Sequence, residues 1–540
     1  MKFLRSIRAA VIRGACLLAL MTIATASAAT FFDVQANNPQ VAGVPLSNST
    51  AKFPTNKQNE PTIALNPISP NHLIAGSNDE QDQPPCGPGP VRGLTAPAND
   101  CSFFPGVGTS GVYVSSNGGV TWTNKGLLDD QAAWKASPFV SDGDPVIVYG
   151  PKPNGSGGFS YAHGARAYYA SLASYKAGQS PFPPNKVPEV IVVSFSDDDG
   201  DTWSAPAVAF TKENPDNFND KEDIWADRNP DSPFFGRVFV SWTQFRSAQI
   251  INIPSEPIVV TSSTDGGLSF TAGKQLSPAG NNRTGNGRQG SAVRSGPDGS
   301  VYVAWEQDGA QVVAISRDGG DKWSRPIAIG AVADIEDPIP GANFRTDSFV
   351  SIAADPRASS TAVYAAWVNR TSAGGRVVVS TSGDKGQTWG APVTVSTATE
   401  GYAFFQGLDV APSGRVDVGY QALRATNTST FGTGNAKIDA YYVRNSGSGW
   451  SVPLKVTTAS SDPAVSAQNN LGRQFWGDYN TLVSSNTTAW FIYTDSRNGA
   501  GCAAVDNYQQ NPTTVPKPAP QSACPSQFGN SDVFVSVVTP

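Results

Sequence analysis

The chain has 540 residues, with 53 Gly, 42 Pro and 12 Trp. Only 15% of the residues are charged and the formal net charge is −6, which excludes a coiled coil, a highly charged disordered chain and a basic nucleic-acid binder. The glycine and proline content favours many short strands joined by tight turns.

The N-terminal 28 residues have the pattern of a secretory signal. The apolar stretch 15–24 is too short to span a bilayer comfortably, and Ala26-Ser27-Ala28 fits a small-residue cleavage site near Ala28. Loss of its four basic residues reduces 38 lysines and arginines to 34, against 44 acidic residues, a net charge of about −10. We therefore expect a secreted or periplasmic protein without membrane insertion or nucleic-acid binding. The basic residues of this segment are Lys2, Arg5, Arg8 and Arg13.

Four of the five cysteines remain after that cleavage, since Cys16 lies in the signal. An even number of cysteines in an exported chain predicts two disulfides, and of the three possible connectivities we favour the local one. It pairs Cys86 with Cys101 and Cys502 with Cys524. A zinc site is the weaker alternative, because CxxC spacing is absent and His72 and His163 are the only histidines.

An eight-residue segment with the pattern S-x-D-x-G-x-x-W/F recurs along the chain. Each copy follows an alternating apolar run, which is typical of a strand, a turn and a strand. The Asp accepts hydrogen bonds from its own turn, the Gly supplies a positive φ, and the aromatic side chain packs under the turn. The copies are residues 115–122, 196–203, 263–270, 316–323 and 382–389, with a decayed sixth at 445–450. Their third residues are Asn117, Asp198, Asp265, Asp318 and Asp384.

These copies resemble the Asp-box (BNR) repeat of the sialidase-like β-propellers, and the resemblance covers nearly the whole mature chain. It implies an all-β propeller, and it implies that the box residues are structural, because in that family the box lies on a blade hairpin away from the active face. Sialidases have six blades. Here seven first strands can be counted, so we favour seven blades over six. These strands start near residues 60, 144, 223, 289, 348, 406 and 478.

The repeat spacing predicts a single propeller domain over residues 29–540. A closed ring must join its ends, so we expect the final strand 533–538 to pair within the last blade and residues 30–35 to add that blade's outer strand. The Cys502–Cys524 loop then lies between strands of one blade. The predicted blades are 59–128, 139–208, 222–276, 286–330, 346–396, 403–455 and 473–540 with 30–35.

The first residue of each inner strand faces one mouth of the central channel. The predicted mouth residues are Glu60, Asp144, Asp223, Gln289, Asp347 or Ser348, Gln406 and Asp478, with Arg288, Arg345 and Arg473 close by. Two interpretations stay open for this largely acidic set. The side chains cap strand ends as solvated or salt-bridged groups, or they bind a ligand, Ca²⁺ among them.

The sialidase resemblance assigns roles to several of these residues. That family binds a substrate carboxylate with three arginines and uses a tyrosine nucleophile, a glutamate partner and an aspartate acid/base. The implied counterparts are Tyr479 as nucleophile, Glu306 as its partner, Asp79 or Asp82 as acid/base, and Arg345 and Arg473 as carboxylate ligands, with Arg288 nearby. The family's first arginine falls where this chain has Asn59-Glu60-Pro61, and a carboxylate there repels an anionic sugar.

Three functional hypotheses follow. The leading one is an exported, monomeric propeller that acts on or binds glycans, with an exo-sialidase-type glycoside hydrolase as its enzymatic form and no confidently assigned cofactor. The alternative is a non-catalytic propeller that binds glycan or protein. A further alternative is a lyase on acidic polysaccharide, which requires Tyr161 and His163 to reach the channel mouth.

Overall fold

The computed structural model describes residues 29–39, 57–83, 90–91, 94–95, 108–176, 178–183, 188–209, 216–246, 255–278, 288–468 and 470–540. The predicted signal segment and the Cys86–Cys101 pair lie outside these residues. Seven antiparallel four-stranded sheets form a β-propeller, so the all-β fold and the count of seven blades are confirmed. Within the described ranges, no helix is both long and apolar enough to cross a membrane.

Blades one to three use the following strands. The first blade has β2 (Gln58–Leu65), β3 (Leu73–Asp79), β6 (Ser110–Ser115) and β7 (Thr123–Leu127), and β4 (Pro90–Val91) pairs with β5 (Leu94–Thr95) as a separate ribbon. The second has β8 (Phe139–Pro153), β9 (Phe159–Tyr175), β10 (Val190–Ser196) and β11 (Ala207–Val208), and the third has β12 (Phe218–Ala226), β13 (Val238–Phe245), β14 (Ile258–Ser263) and β15 (Lys274–Gln275).

Blades four to six follow in chain order. The fourth has β16 (Arg288–Ser295), β17 (Val301–Gln307), β18 (Ala310–Ser316) and β19 (Ile327–Ala331), and the fifth has β20 (Ser351–Ala354), β21 (Val363–Thr371), β22 (Gly374–Ser382) and β23 (Val393–Thr394). The sixth has β24 (Tyr402–Val410), β25 (Val416–Ala425), β26 (Ala436–Asn445) and β27 (Leu454–Lys455).

The seventh blade closes the ring as predicted. It has β28 (Thr481–Ser484), β29 (Ala489–Asp495) and β30 (Asp532–Thr539), and β1 (Thr30–Gln35) pairs with β30 as its outer strand. The Cys502–Cys524 disulfide lies between β29 and β30, with an S–S distance of 2.05 Å. The short helices are α1 (Ala132–Ala136), α2 (Ala503–Gln510) and α3 (Pro520–Ala523), with 3₁₀ turns at Leu128–Asp130 and Pro463–Val465.

The core lies between neighbouring blades. The second strands of three consecutive blades are largely apolar and buried, and each contains one buried tryptophan, Trp242, Trp305 and Trp367. Each of these side chains packs in a cluster that contains residues of the adjacent blade. Blade-on-blade packing therefore holds the ring, and each inner strand is fixed in position along the channel.

The five predicted box turns join the third and fourth strands of blades one to five. In the second blade, Thr202 N–H donates to Asp198 Oδ1 at 2.8 Å and Gly200 N–H donates to Ser196 Oγ at 2.9 Å. The same two bonds recur in each copy, including the one with Asn117, whose Oδ1 accepts from Thr121 N–H at 3.0 Å. These side chains stabilise their own turns.

A β-bulge interrupts the inner strand of five blades at equivalent positions along the channel. Each bulge inserts one extra residue, so two residues of the inner strand face one residue of the second strand. The first bulge residue has a positive φ in every case, and in three consecutive blades it is charged. These residues are Glu60 (φ 54°), Asp144 (51°), Lys221 (56°), Gly290 (65°) and Phe405 (47°). Non-glycine residues in this conformation are strained, and such strain clusters at functional sites.

Candidate functional site

The inner strands of all seven blades line a central cavity of about 140 Å³. We call the end of the channel where these strands begin the upper mouth, and the end where they finish the lower mouth. The bulges lie near the upper mouth and bring charged side chains of several blades together there.

Two cations and two carboxyl groups form the centre of the upper mouth. Asp478 accepts a bidentate pair of hydrogen bonds from Arg345, with Nε–Oδ1 at 2.7 Å and Nη2–Oδ2 at 2.6 Å. Lys221 Nζ lies 2.7 Å from Asp478 and 3.9 Å from Glu60, and Arg345 Nη2 lies 3.6 Å from Glu60. Burial acts to raise the pKa of Asp478, but Lys221 and Arg345 outweigh it and lower that pKa to about 2.

Glu60 has the opposite electrostatic environment. It is 2% exposed, and burial, then the charge of Asp144 and a hydrogen bond between the two carboxyls, raise its pKa well above the ordinary value. Burial also raises the pKa of Asp144 to about 6. Asn78 Nδ2 donates to Glu60 Oε2 at 2.8 Å, and Asp144 N–H donates to Asn78 Oδ1 at 2.9 Å. The mouth thus brings Glu60, whose pKa is raised, next to Asp478, whose pKa is lowered.

Two further groups line the channel just below this centre. Glu222, the second bulge residue of its blade, is 5% exposed, and neither carboxylate oxygen has a hydrogen-bond partner among the described residues. Burial and then Asp144 raise its pKa well above the ordinary value. The Tyr479 hydroxyl is also buried without a partner in the described part of the chain, and Lys221 Nζ lies 4.5 Å from the centre of the tyrosine ring.

The prediction placed Asp223 at this mouth, which is wrong by two residues. The strand of the third blade begins at Phe218, and Lys221 occupies the bulge position equivalent to Glu60 and Asp144. Asp223 lies further down the channel, where its carboxylate accepts from Arg294 Nη1 at 2.5 Å and from Val293 N–H at 2.7 Å. Below it, Arg228 lies 3.9 Å from Asp409. The carboxylates of the lower half are therefore paired.

Asp79 and Asp82 lie beside the upper mouth rather than in its centre. Asp79 accepts from Tyr113 Oη at 2.7 Å and from Gln58 Nε2 at 2.8 Å, and burial, together with the charge of Asp82, raises its pKa to about 7. Asp82 accepts from Asn124 Nδ2 at 2.7 Å. Both predicted acid/base candidates are bound by side chains of their own blade.

Glu306 belongs to a separate acidic group on the same side of the ring. Oxygens of Glu306, Asp334 and Asp347 lie within 4.8 Å of one another. Burial, and then Asp334 and Asp347, raise the pKa of Glu306 to about 9, and burial raises that of Asp347 to about 7. The carboxyls that raise the pKa of Tyr479 are, from the largest effect to the smallest, Asp144, Glu60, Glu222 and Asp478, so the glutamates that act on Tyr479 are Glu60 and Glu222 and not Glu306. The prediction of Ca²⁺ at the acidic mouth residues stays a prediction.

The remaining predicted residues do not join the centre. Arg473 binds Asp337, and its Nε donates to Asn343 O at 3.4 Å. Gln406 Nε2 donates to backbone carbonyls of Phe349 and Ala366. Arg288 begins β16 and pairs with Gln307 of β17. Gln289 pairs with Glu306 across the same two strands, and Ser348 N–H donates to Asp347.

Tyr161 and His163 lie towards the lower mouth. They follow the hairpin between β8 and β9, at the far end of the inner strand, and the Tyr161 hydroxyl donates to Arg228 O at 3.1 Å. His163 is exposed. The structure therefore separates this pair from the acidic upper mouth by the length of the channel.

Sequence reasoning missed Asp220, Lys221 and Glu222. Asp220 contributes to the same cluster, since Lys221, Asp478 and Glu60 all act on its carboxyl after burial has raised its pKa. The segment Asn219-Asp220-Lys221-Glu222-Asp223 is the densest charged run on any inner strand, and that density in an otherwise weakly charged chain was the available signal.

Comparisons with solved structures return propellers of low sequence identity. The chain is similar to the Hadza microbial sialidase Hz136 at 15% identity and a TM-score of 0.40, over 71% of this chain and 65%, just under two thirds, of that one. It is similar to the NanB sialidase of Streptococcus pneumoniae (12%, 0.37, over 78% and 80%) and to the alpha-L-arabinofuranosidase Arb93A of Fusarium graminearum (11%, 0.40, over 94% and 98%). No protein-family model and no curated protein sequence matches the chain. These similarities leave the activity open.

Proposed function

We propose that the protein is a glycoside hydrolase that acts at the upper mouth on glycans whose reacting sugar carries no carboxylate. The observation that carries this proposal is the pair Glu60 and Asp478, whose pKa values are displaced in opposite directions although both touch Lys221 and Arg345. Two carboxyls with separated pKa values are what glycosidic bond hydrolysis requires of a site.

The two carboxyls take different roles in this proposal. Glu60 keeps its proton at neutral pH and donates it to the oxygen of the leaving sugar as the general acid. Asp478 stays ionised and supports the positive charge that develops on the reacting sugar, as a nucleophile or as the base that activates water. Asp144 holds the Glu60 proton in place through their shared hydrogen bond.

The arginines argue against an anionic substrate. A sialidase needs guanidinium groups that are free to bind the carboxylate of its substrate. Here Arg345 forms a bidentate salt bridge with Asp478, and Arg473 forms a salt bridge with Asp337. Five carboxyl groups surround two cations at the mouth, so a carboxylate on the substrate would be repelled. The acidic members are Glu60, Asp144, Asp220, Glu222 and Asp478, and the cations are Lys221 and Arg345.

A second candidate is a propeller that binds glycan without cleaving it. It is favoured by Tyr479, because burial and four neighbouring carboxyls raise the pKa of its hydroxyl and oppose the phenoxide that a tyrosine nucleophile requires. This observation weighs against tyrosine-based chemistry and leaves the two-carboxyl mechanism intact.

We also infer export. The support is the N-terminal sequence pattern together with the Cys502–Cys524 bond, since disulfides persist in oxidising compartments. Mass analysis of the purified, unreduced protein tests the second predicted pair, and two free thiols at Cys86 and Cys101 would contradict it.

The experiment is incubation of the full chain with sialosides, uronic-acid polysaccharides and neutral oligosaccharides of pentoses and hexoses, with product sugars measured by chromatography. We expect turnover of a neutral glycan that falls at least about 100-fold in Glu60→Gln, because the amide cannot donate the acid's proton. Asp231→Asn, a charge change on the exposed surface, is the matched control.

Three outcomes separate the candidates. Sialic acid release that disappears in Tyr479→Phe would overturn the proposal in favour of a sialidase. Binding of a glycan without turnover of any would support the second candidate. Uronic-acid cleavage that disappears in His163→Ala would indicate the lyase.

A further inference from the structure

Four of the unpartnered atoms at the upper mouth share one chemical property. The two carboxylate oxygens of Glu222, the Oε1 atom of Glu60 and the hydroxyl oxygen of Tyr479 are all buried oxygens without a hydrogen-bond partner in the described residues. A buried carboxylate left without a donor costs free energy, so proteins seldom retain one. These atoms therefore indicate a ligand that brings hydrogen-bond donors.

The charge of the cluster indicates the chemical class of that ligand. Five carboxyls face two cations, and both cations already contact Asp478, so Glu222 and Asp144 have no cation of their own at hydrogen-bonding distance among the described residues. A third positive charge would bring the cluster nearer to neutrality. A primary ammonium group fits, because it offers three donors and no acceptor.

The protein itself shows that an ammonium is tolerated here. Lys221 Nζ lies between Asp478 and Glu60 and above the Tyr479 ring, at 2.7, 3.9 and 4.5 Å. The tyrosine face and the carboxylates together form an environment that attracts cations. The side chains of Asp144 and Asp478 are partly exposed, so a ligand entering from solvent reaches the cluster.

From the orphaned carboxylate of Glu222 and the excess of carboxyls around it, we propose that the upper mouth recognises an amino sugar through its free ammonium group, with Glu222 as the specificity-determining residue. The inference rests on the proposed function only in placing a glycan at this mouth. The preferred ligands are oligosaccharides with unacetylated amino groups, and N-acetylation, which removes the charge and two donors, weakens binding.

The test is calorimetric titration of the full chain with glucosamine tetramer and with its fully N-acetylated counterpart, at mildly acidic pH where the amine carries its proton. We expect the glucosamine tetramer to bind at least about tenfold more tightly than the acetylated one. In Glu222→Gln the ratio of the affinities for the two tetramers should fall below about threefold. Asp231→Asn, which removes an exposed acidic group elsewhere, should leave the ratio unchanged.

A repeat at high salt separates specific recognition from general attraction to an acidic protein. Attraction to exposed charges is screened by salt, whereas a partly buried contact is screened much less, so the preference should survive. Equal affinities for the two tetramers, loss of the preference in high salt, or full retention of it in Glu222→Gln would each overturn the inference.

Loss of folding does not confound the result. Glu222→Gln keeps the shape of the side chain, and burial already favours the uncharged form of the Glu222 carboxyl, so the thermal unfolding midpoint of the variant should stay close to that of the parent chain. Repeating the titration in Glu60→Gln, which is expected to bind but not cleave, keeps binding apart from turnover. Tighter binding of the unacetylated tetramer without turnover of any glycan contradicts the proposed function alone. Turnover of neutral glycans with equal binding of the two tetramers contradicts this inference alone.

Discussion

The five S-x-D-x-G box turns and the upper mouth use the same carboxyl group in opposite ways. In the boxes, hydrogen bonds from Thr388 hold the pKa of Asp384 at about 2, and the pKa values of Asp198, Asp265 and Asp318 are lowered as well. At the mouth, burial raises the pKa of Asp144 to about 6. A carboxylate whose own turn supplies its donors serves the fold, whereas carboxyls that lack donors are maintained for a ligand or a reaction.

This difference in carboxyl pKa depends on whether the hydrogen-bond donors around a carboxyl come from its own turn or from other blades. A box residue accepts from an N–H group four positions further along the chain, so the turn that brings the side chain also brings its partner. At the mouth, three charged residues on left-handed bulges converge from three blades, and nothing in the local sequence supplies their donors. Proteins pay for such an arrangement in stability, and its variants should therefore behave differently from those of the boxes.

The largest stability effect is expected for Asp478→Asn. The substitution leaves the ammonium of Lys221 buried and takes away the bidentate partner of Arg345, so we expect a loss of about 3 kcal/mol in the free energy of unfolding. Urea unfolding followed by tryptophan fluorescence measures it, with Asp231→Asn as control. A loss below about 1 kcal/mol would mean that the cation pairing at the mouth contributes no more than an exposed salt bridge.

The dependence of stability on pH should have opposite signs in the two regions. Folded Asp144 keeps its proton up to about pH 6 while the unfolded chain loses it near 4, so its contribution is full below pH 4 and is lost as pH rises to 6. Box carboxylates such as Asp384 contribute above pH 4 and lose their contribution as pH falls towards 2.

Asp144→Asn isolates the first of these trends. The variant should lose part of the decline in stability between pH 4 and 6, on the order of 2 kcal/mol after allowance for the partial exposure of the carboxyl. Urea midpoints at pH 4, 5 and 6 measure it. An unchanged slope in the variant would show that other groups, such as Asp79 with its pKa of about 7, dominate.

The blades were predictable from sequence because their determinants are local. Alternating apolar residues, box turns and the need to close the ring correctly predicted seven sheets and the pairing of β1 with β30. The mouth was predictable only in part. A bulge adds one residue without changing the apolar pattern around it, so the sequence indicated Asp223 where the structure places Lys221. Arg345 and Asp478 lie 133 positions apart and meet only because the ring closes, so no local sequence pattern predicts their pairing.

A smaller effect is expected for Ser196→Ala in a box turn. The buried hydroxyl accepts from Gly200 N–H at 2.9 Å and donates to Asp198 at 2.8 Å, and its loss leaves a buried donor without its partner. We expect a cost of about 1 kcal/mol in urea unfolding and unchanged glycan binding. A change in ligand affinity would contradict the division between box and mouth, since the box lies between the outer strands of its blade.

The smallest effect is expected for Asp318→Asn. Lys322 N–H donates to Asp318 Oδ1 at 2.8 Å, and in the first blade Thr121 N–H donates to the amide oxygen of Asn117 at 3.0 Å in the same turn. Because a neutral acceptor already performs this task in one blade, the substitution should change the free energy of unfolding by less than about 0.5 kcal/mol, and Asp318→Ala, which removes the acceptor, should cost more. If Asp318→Asn were as costly as Asp318→Ala, the negative charge rather than the hydrogen bond would be what the box requires, and its aspartates would have to be treated, like those of the mouth, as charges that act beyond their own turn.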